Sequence, residues 1–151
     1  MKIRGVSLEA SQAETYLLKE LLSPINLIDY FWYRPIDQEE VWSRPEGKPF
    51  FTKDIYTGNE LKQLISSGHF VVFLRLEAYF HKEGIPHIST FTDFSESSCQ
   101  IILLIYDCER VQFYTKDVQI ARDIYTRLKN KFKNVNYITD ENDLRTGMNI
   151  L

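Results

Sequence analysis

The chain reads as an α+β protein: a mixed, largely antiparallel sheet of about six strands packed with three helices. Three observations predict this. The 151 residues are enough for one ordinary core, and a chain of that length buries roughly 70% of its unfolded surface, so residues 1–151 are read as a single domain. Apolar residues follow two periods, short runs such as FVVFLRL and CQIILLIY and a 3.6-residue stripe from Asp117 to Phe132. Finally, Cys99–Tyr106 and Val111–Thr115 are joined by the short turn Asp107-Cys-Glu-Arg110, so they form a hairpin and the sheet cannot be all parallel.

The elements follow in order. Lys2 to Leu8 alternates imperfectly and reads as an opening strand. Ser11-Gln-Ala-Glu14 has the spacing of a capping box, and Leu17, Leu18, Leu21 and Leu22 continue it as a helical stripe. Pro24 stops that helix, because the residue before a proline resists the helical region. Ile28–Arg34 is strand-like in β-branched and aromatic content, with Tyr30 and Trp32 on one face and Phe31 and Tyr33 on the other. Pro35, Pro45, Gly47 and Pro49 make Pro35–Thr52 a long loop, with a short strand near Phe50-Phe51. Thr57-Gly-Asn-Glu60 is a second capping box, and Gly68 suits a left-handed helix end. Phe70–Leu76 and Cys99–Tyr106 are strongly hydrophobic strands. Ile85–Thr90 is a weaker one, followed by a helical turn at Thr92–Ser97. Asp117 opens the longest helix, and Val135–Ile138 and Met148–Leu151 read as closing strands.

Composition removes several functions. The formal charge of −3 argues against non-specific nucleic-acid binding, which depends on Lys and Arg neutralising phosphates. Lys129-Asn-Lys-Phe-Lys133 is the densest basic run, and the end of a helix explains it. No stretch reaches the ~20 apolar residues of a membrane helix, and the first residues lack the apolar core of a signal peptide. A cytoplasmic protein is expected, and two cysteines fit a reducing compartment. The glycines are scattered, so no phosphate loop of the GxGxxG or GxxxxGK[ST] kind exists. Neither a metal nor a cofactor is expected. His81-Lys-Glu-Gly-Ile-Pro-His87 is the one local histidine cluster, and its ligand count is incomplete. Cys99 and Cys108 lie at opposite ends of one strand, too far apart for a disulfide.

Two sets of residues are candidates for binding. Arg75, Glu77, Tyr79 and His81 alternate outward from the strand FVVFLRL and could line a cleft; the alternative is an open, wet sheet face bearing an Arg–Glu pair. The run Thr139–Thr146 concentrates Asp140, Glu141, Asn142, Asp143 and Arg145. It lacks the spacing of a calcium loop, and it reads as a turn that Asp143 and Arg145 brace, by pairing with each other or by holding the turn carbonyls. Trp32 and Trp42 are candidates for a protein interface, where Trp and Tyr are enriched, against the simpler reading that such residues are core.

Five blocks in order carry a family resemblance: RGVSLE (Arg4–Glu9), LLSPINLIDYFWY (Leu21–Tyr33), LRLEAY (Leu74–Tyr79), SSCQIILLIYDCERVQFYTKD (Ser97–Asp117) and TDENDLRTGM (Thr139–Met148). Together the chain resembles a family of small bacterial cytoplasmic proteins of Bacillus-like Firmicutes, classed as a domain of unknown function. The resemblance implies a stand-alone cytoplasmic bacterial domain and supplies no catalytic residues. Pro35–Lys53 matches none of the blocks.

With no nucleophile setting, metal set or phosphate loop, the expected function is non-enzymatic protein binding, with an immunity-like role against a toxin as one form. The competing expectation is a small-molecule binder or enzyme that uses Arg75, Glu77, Tyr79 and His81 with Asp143 and Arg145, Glu77 or His81 serving as general base.

Overall fold

A computed structural model describes residues 1–145 and 147–150. Its strands are β1 (Ile3–Glu9), β2 (Phe31–Tyr33), β3 (Glu39–Ser43), β4 (Ile55–Thr57), β5 (His69–Tyr79), β6 (Cys99–Tyr106), β7 (Arg110–Thr115) and β8 (Lys133–Thr139). The α-helices are α1 (Leu17–Leu22), α2 (Gly58–Leu64), α3 (Phe91–Glu96) and α4 (Val118–Leu128). The eight strands form one sheet in the order β4-β2-β5-β6-β7-β1-β8, with β3 pairing the other end of β5. The α+β class stands, with eight strands where about six were expected and four α-helices where three were. Every strand pair among the described residues is antiparallel.

Alternation on the central strands divides the apolar residues between two faces. Leu74, Leu76, Ile101, Leu103, Ile105 and Phe113 join one core with Leu18 and Leu21 of α1, Leu61 of α2 and Ile124 and Leu128 of α4. Ile102, Leu104 and Tyr114 join a second, smaller core with Ile88, Phe94 of α3 and Met148. Helices thus cover the first face. The second is covered by the segment around Ile88 and α3 and by the C-terminal residues. At β1 the backbones come very close: a Cβ on Gly5 would lie 1.6 Å from the Phe113 carbonyl oxygen, so only glycine fits.

Several elements differ from the sequence reading. Ser11 does not cap α1, which begins only at Leu17; its hydroxyl instead accepts from the Ala13 N–H in the preceding turn. The strand expected at Ile28–Arg34 is confined to Phe31–Tyr33, because Leu27–Asp29 coils into a 3-10 turn. The proline-rich segment contains β3, and Phe50 and Phe51 are core residues outside any strand. Gly68 is not left-handed. It lies beneath Arg44, where a Cβ would be 3.1 Å from the Arg44 carbonyl oxygen. Ile85–Thr90 is irregular chain, and residues 148–150 form no strand; Leu151 and Thr146 lie outside the described residues. The Thr57–Glu60 capping box is present as expected. Thr90 and Asp93 make another, at the start of α3.

Strand β8 is an edge of the sheet, and amide side chains on it and in the turn that follows engage its backbone. Asn142 accepts from the Thr139 N–H at 2.8 Å and donates to the Tyr137 carbonyl at 3.1 Å. Asn136 donates to the Asn134 carbonyl at 3.0 Å.

Candidate functional site

Arg75, Glu77 and Tyr79 do share one face of β5, but that face is not wet. All three are at most 3% exposed, because the irregular segment around Ile88 and the C-terminal residues lie over them. Arg75 Nε donates to Glu77 Oε2 at 2.7 Å. Its Nη1 donates to the Met148 carbonyl at 3.2 Å and to Asn149 Oδ1 at 3.0 Å, and its Nη2 to the Ile88 carbonyl at 2.8 Å. The Tyr79 hydroxyl donates to the other Glu77 oxygen. Burial, reinforced by Cys99 and Glu77, raises the Tyr79 phenol above its ordinary value of 10.0. Burial likewise pushes the Cys99 thiol up to about 12. No buried side-chain nitrogen or oxygen among the described residues lacks a partner. The trio therefore works as a latch holding two stretches of irregular backbone against the sheet. It is neither the solvated face nor the ligand-lined cleft that alternation suggested.

The other proposed residues scatter. His81 is exposed beyond the end of β5. Trp32 is fully buried, its indole N–H donating to the Leu27 carbonyl at 3.1 Å, so it is a core residue. Trp42 is 38% exposed on β3, with its indole N–H on Glu40 at 2.9 Å. Cys108, at the β6–β7 turn, has its thiol pKa raised by burial and then by Glu109 and Asp107, the opposite of the electropositive setting that activates a cysteine.

Asp143 and Arg145 stay together, each with its own partners. Asp143 accepts from Arg4 Nη1 at 3.1 Å, from the Tyr114 hydroxyl at 3.0 Å and from the Arg145 backbone N–H at 3.2 Å. Arg4 also stacks over the Phe91 ring, 4.0 Å from its centroid. Burial, with Asp143 as its neighbour, raises the Tyr114 phenol. The Arg145 side chain holds carbonyls, not Asp143. Nε donates to Gln112 Oε1 at 2.7 Å, and Nη1 to the carbonyls of Gly147 and Asn149 at 3.3 and 3.5 Å. Its guanidinium lies 4.9 Å from the centroid of the Tyr106 ring.

Beside this brace the second face of the sheet is left open as a cleft of about 1020 Å³. Ser7, Gln112 and Asn136 are neighbours in register across β7, β1 and β8, and with Tyr106 they line it. Arg145, Asn149 and Leu144 border it, and Leu144 is 94% exposed. The sequence carried a signal for this row: single polar residues inside apolar strands, as in Val6-Ser7-Leu8 and Val111-Gln112-Phe113. Only pairing across three strands shows that they coincide. Chemically the described lining includes hydroxyls, amides, tyrosines, the Asp143 carboxylate and the Arg145 guanidinium. Among the described residues no three His, Cys, Asp or Glu side chains converge as metal ligands, and no helix is long and apolar enough to cross a membrane.

No solved structure matches the chain. A relative from Bacillus subtilis strain 168, "Uncharacterized protein YncE", is 27% identical over 159 aligned positions, spanning 97% of this chain and 99% of that protein. The model of a family described as "Protein of unknown function (DUF2691)" matches residues 3–149, nearly the whole fold including β1, the latch and the Asp143–Arg145 brace, and the chain therefore belongs to that family.

Proposed function

We propose that this is a non-catalytic domain of the cytoplasm that binds a protein partner through the cleft on the second face of the sheet. The observation that carries the reading is the make-up of that cleft. Its lining forms hydrogen bonds but among the described residues holds no Cys, His or Lys, and an exposed leucine, Leu144, stands at its rim. An apolar knob beside hydrogen-bonding groups suits contact with another macromolecule. An immunity-like role, in which the domain blocks a toxin, is one form of this function. A photo-crosslinking residue at Leu144, expressed in the native host, should capture one defined protein, and the same residue at exposed Asn130 should not. Capture lost on Tyr106→Ala supports the cleft. Equal labelling from both positions overturns it.

A second reading, small-molecule binding, is favoured by the cation Arg145 on the cleft wall. Of the residues first grouped for it, Asp143 and Arg145 alone line the cleft, and Glu77 and His81 have no access to act as bases there.

A further inference from the structure

We propose that the cleft is an oxyanion-binding site anchored by Arg145, taking a small molecule that carries a carboxylate or phosphate group. The inference rests on the second reading, small-molecule binding in the cleft, and adds the chemical class of the ligand.

Buried arginines in this fold have carboxylate partners: Arg34 meets Glu39 at 3.0 Å and Arg75 meets Glu77 at 2.7 Å. Arg145 is held by neutral acceptors instead, the Gln112 amide oxygen and the carbonyls of Gly147 and Asn149. Among the described residues no carboxylate lies within 4.0 Å of its guanidinium. Asp143, two positions away, directs its oxygens to Arg4, Tyr114 and the Arg145 backbone, so Arg4 already balances its charge. Asp140, on the same turn, is engaged by the Lys2 N–H at 2.8 Å. Among the described residues the Arg145 guanidinium on the cleft wall thus has no carboxylate partner of its own.

Geometry then prepares that charge for a ligand. Nε and Nη1 are fixed by three acceptors and the plane is held near the Tyr106 ring, so the guanidinium needs little further ordering when an anion arrives. Nη2 has no partner among the described residues and remains as the donor edge. The floor supplies further donors, since the Ser7 and Tyr106 hydroxyls and the Gln112 amide nitrogen have none either. A cation flanked by hydroxyl and amide donors matches an oxyanion and its neighbouring oxygens. The volume of about 1020 Å³ accommodates a metabolite-sized molecule.

The test is a titration of the full chain, uniformly labelled with nitrogen-15, with succinate and separately with inorganic phosphate at physiological ionic strength. Saturable shifts at the Arg145 Nε–H and the Gln112 side-chain amide are expected, and the stronger of the two titrations identifies the anion class. Arg145→Gln should weaken binding by about tenfold or more, the equivalent of one lost charge-assisted hydrogen bond, and Arg145→Lys should retain part of it. If Arg145→Gln does not fold, Ser7→Phe, which fills the floor and leaves Arg145 in place, should abolish the shifts. Absent saturation with both anions, shifts spread over Lys129–Lys133, or unchanged binding in either variant would overturn the inference. Crosslinking from Leu144 that persists in Arg145→Gln would leave the protein-binding reading standing, so the two fail separately.

Discussion

The two faces of the sheet are covered by different means. Helices α1, α2 and α4 cover the first with apolar stripes, and a helix satisfies its own backbone groups. The second lies under the short α3 and, over β5, under irregular chain around Ile88 and Met148, whose carbonyls find no partner in a helix or ladder. Buried carbonyls need donors, and Arg75 supplies them, bonding both Ile88 and Met148. The polar residues of β5 are therefore the counterpart of an irregular cover. A charged residue on a central strand need not mean a site; it can mean that loop backbone lies above it.

Replacing Arg75 with Ala leaves Glu77 charged and buried and two carbonyls without donors, and should cost about 3–5 kcal/mol in urea unfolding. Arg75→Met with Glu77→Leu should recover a large part of this, because the replaced pair no longer carries a buried charge. A cost for Arg75→Ala below about 1 kcal/mol would show that the latch does not hold the second cover. Next, Asp143→Asn weakens the link to Arg4 and Tyr114 and should cost about 1–3 kcal/mol. Its effect should be local: Cys99, deep in the second core, becomes labelled by a thiol reagent sooner, while hydrogen exchange in α4 stays as in the parent. Thr57→Ala acts on the first face, removing the capping hydroxyl of α2, and should cost about 1 kcal/mol without changing the labelling of Cys99.

The smallest effect is in the acid limb of stability. Lys53 and the Thr57 N–H hold the Glu60 carboxyl down to about 2 from an ordinary 4.5. A carboxylate depressed in the folded state stabilises it above its unfolded value and loses that contribution as pH falls through its folded one. Glu60→Gln should therefore flatten a shallow loss of stability between about pH 4.5 and 2, read as the urea midpoint against pH. Burial lowers His69 below its ordinary 6.5, and this neutral imidazole accepts the Leu18 N–H at 2.9 Å. Its unfolded form takes up a proton more readily, so its contribution is full above 6.5 and declines as pH drops beneath that value.

Periodicity made β1, β6, β7 and α4 legible, because each carries enough apolar residues to state its period. Strands β3 and β4 were not. They are short, β3 lies between Pro35 and Pro45 and β4 follows the proline-rich stretch, and β3 gains its strand character from pairing with β5. The Ser11–Glu14 spacing suggested a cap that the chain does not use, while Thr90–Asp93, with the shorter acid at its third position, was overlooked. At the site, alternation correctly grouped Arg75, Glu77 and Tyr79. It could not reveal their burial, since the cover arrives from residues 148 and 149, far along the chain. The role of Asp143 was half legible: it braces the turn, but its partner is Arg4, on a strand at the opposite end of the sequence.

One feature of the sheet bears on how the molecule comes to exist. Strand β1 is inserted between β7 and β8, pairing Glu9 with Arg110 and Ile3 with Thr139. The β6–β7 hairpin can close locally, but β1 can find neither neighbour until most of the chain is available. Such long-range closure slows folding, and the aromatic and aliphatic residues it would cover, Phe113 and Tyr114 among them, stay exposed in the interval. A newly made chain is thus at its most adhesive just before β1 docks, and chaperones would find their substrate there.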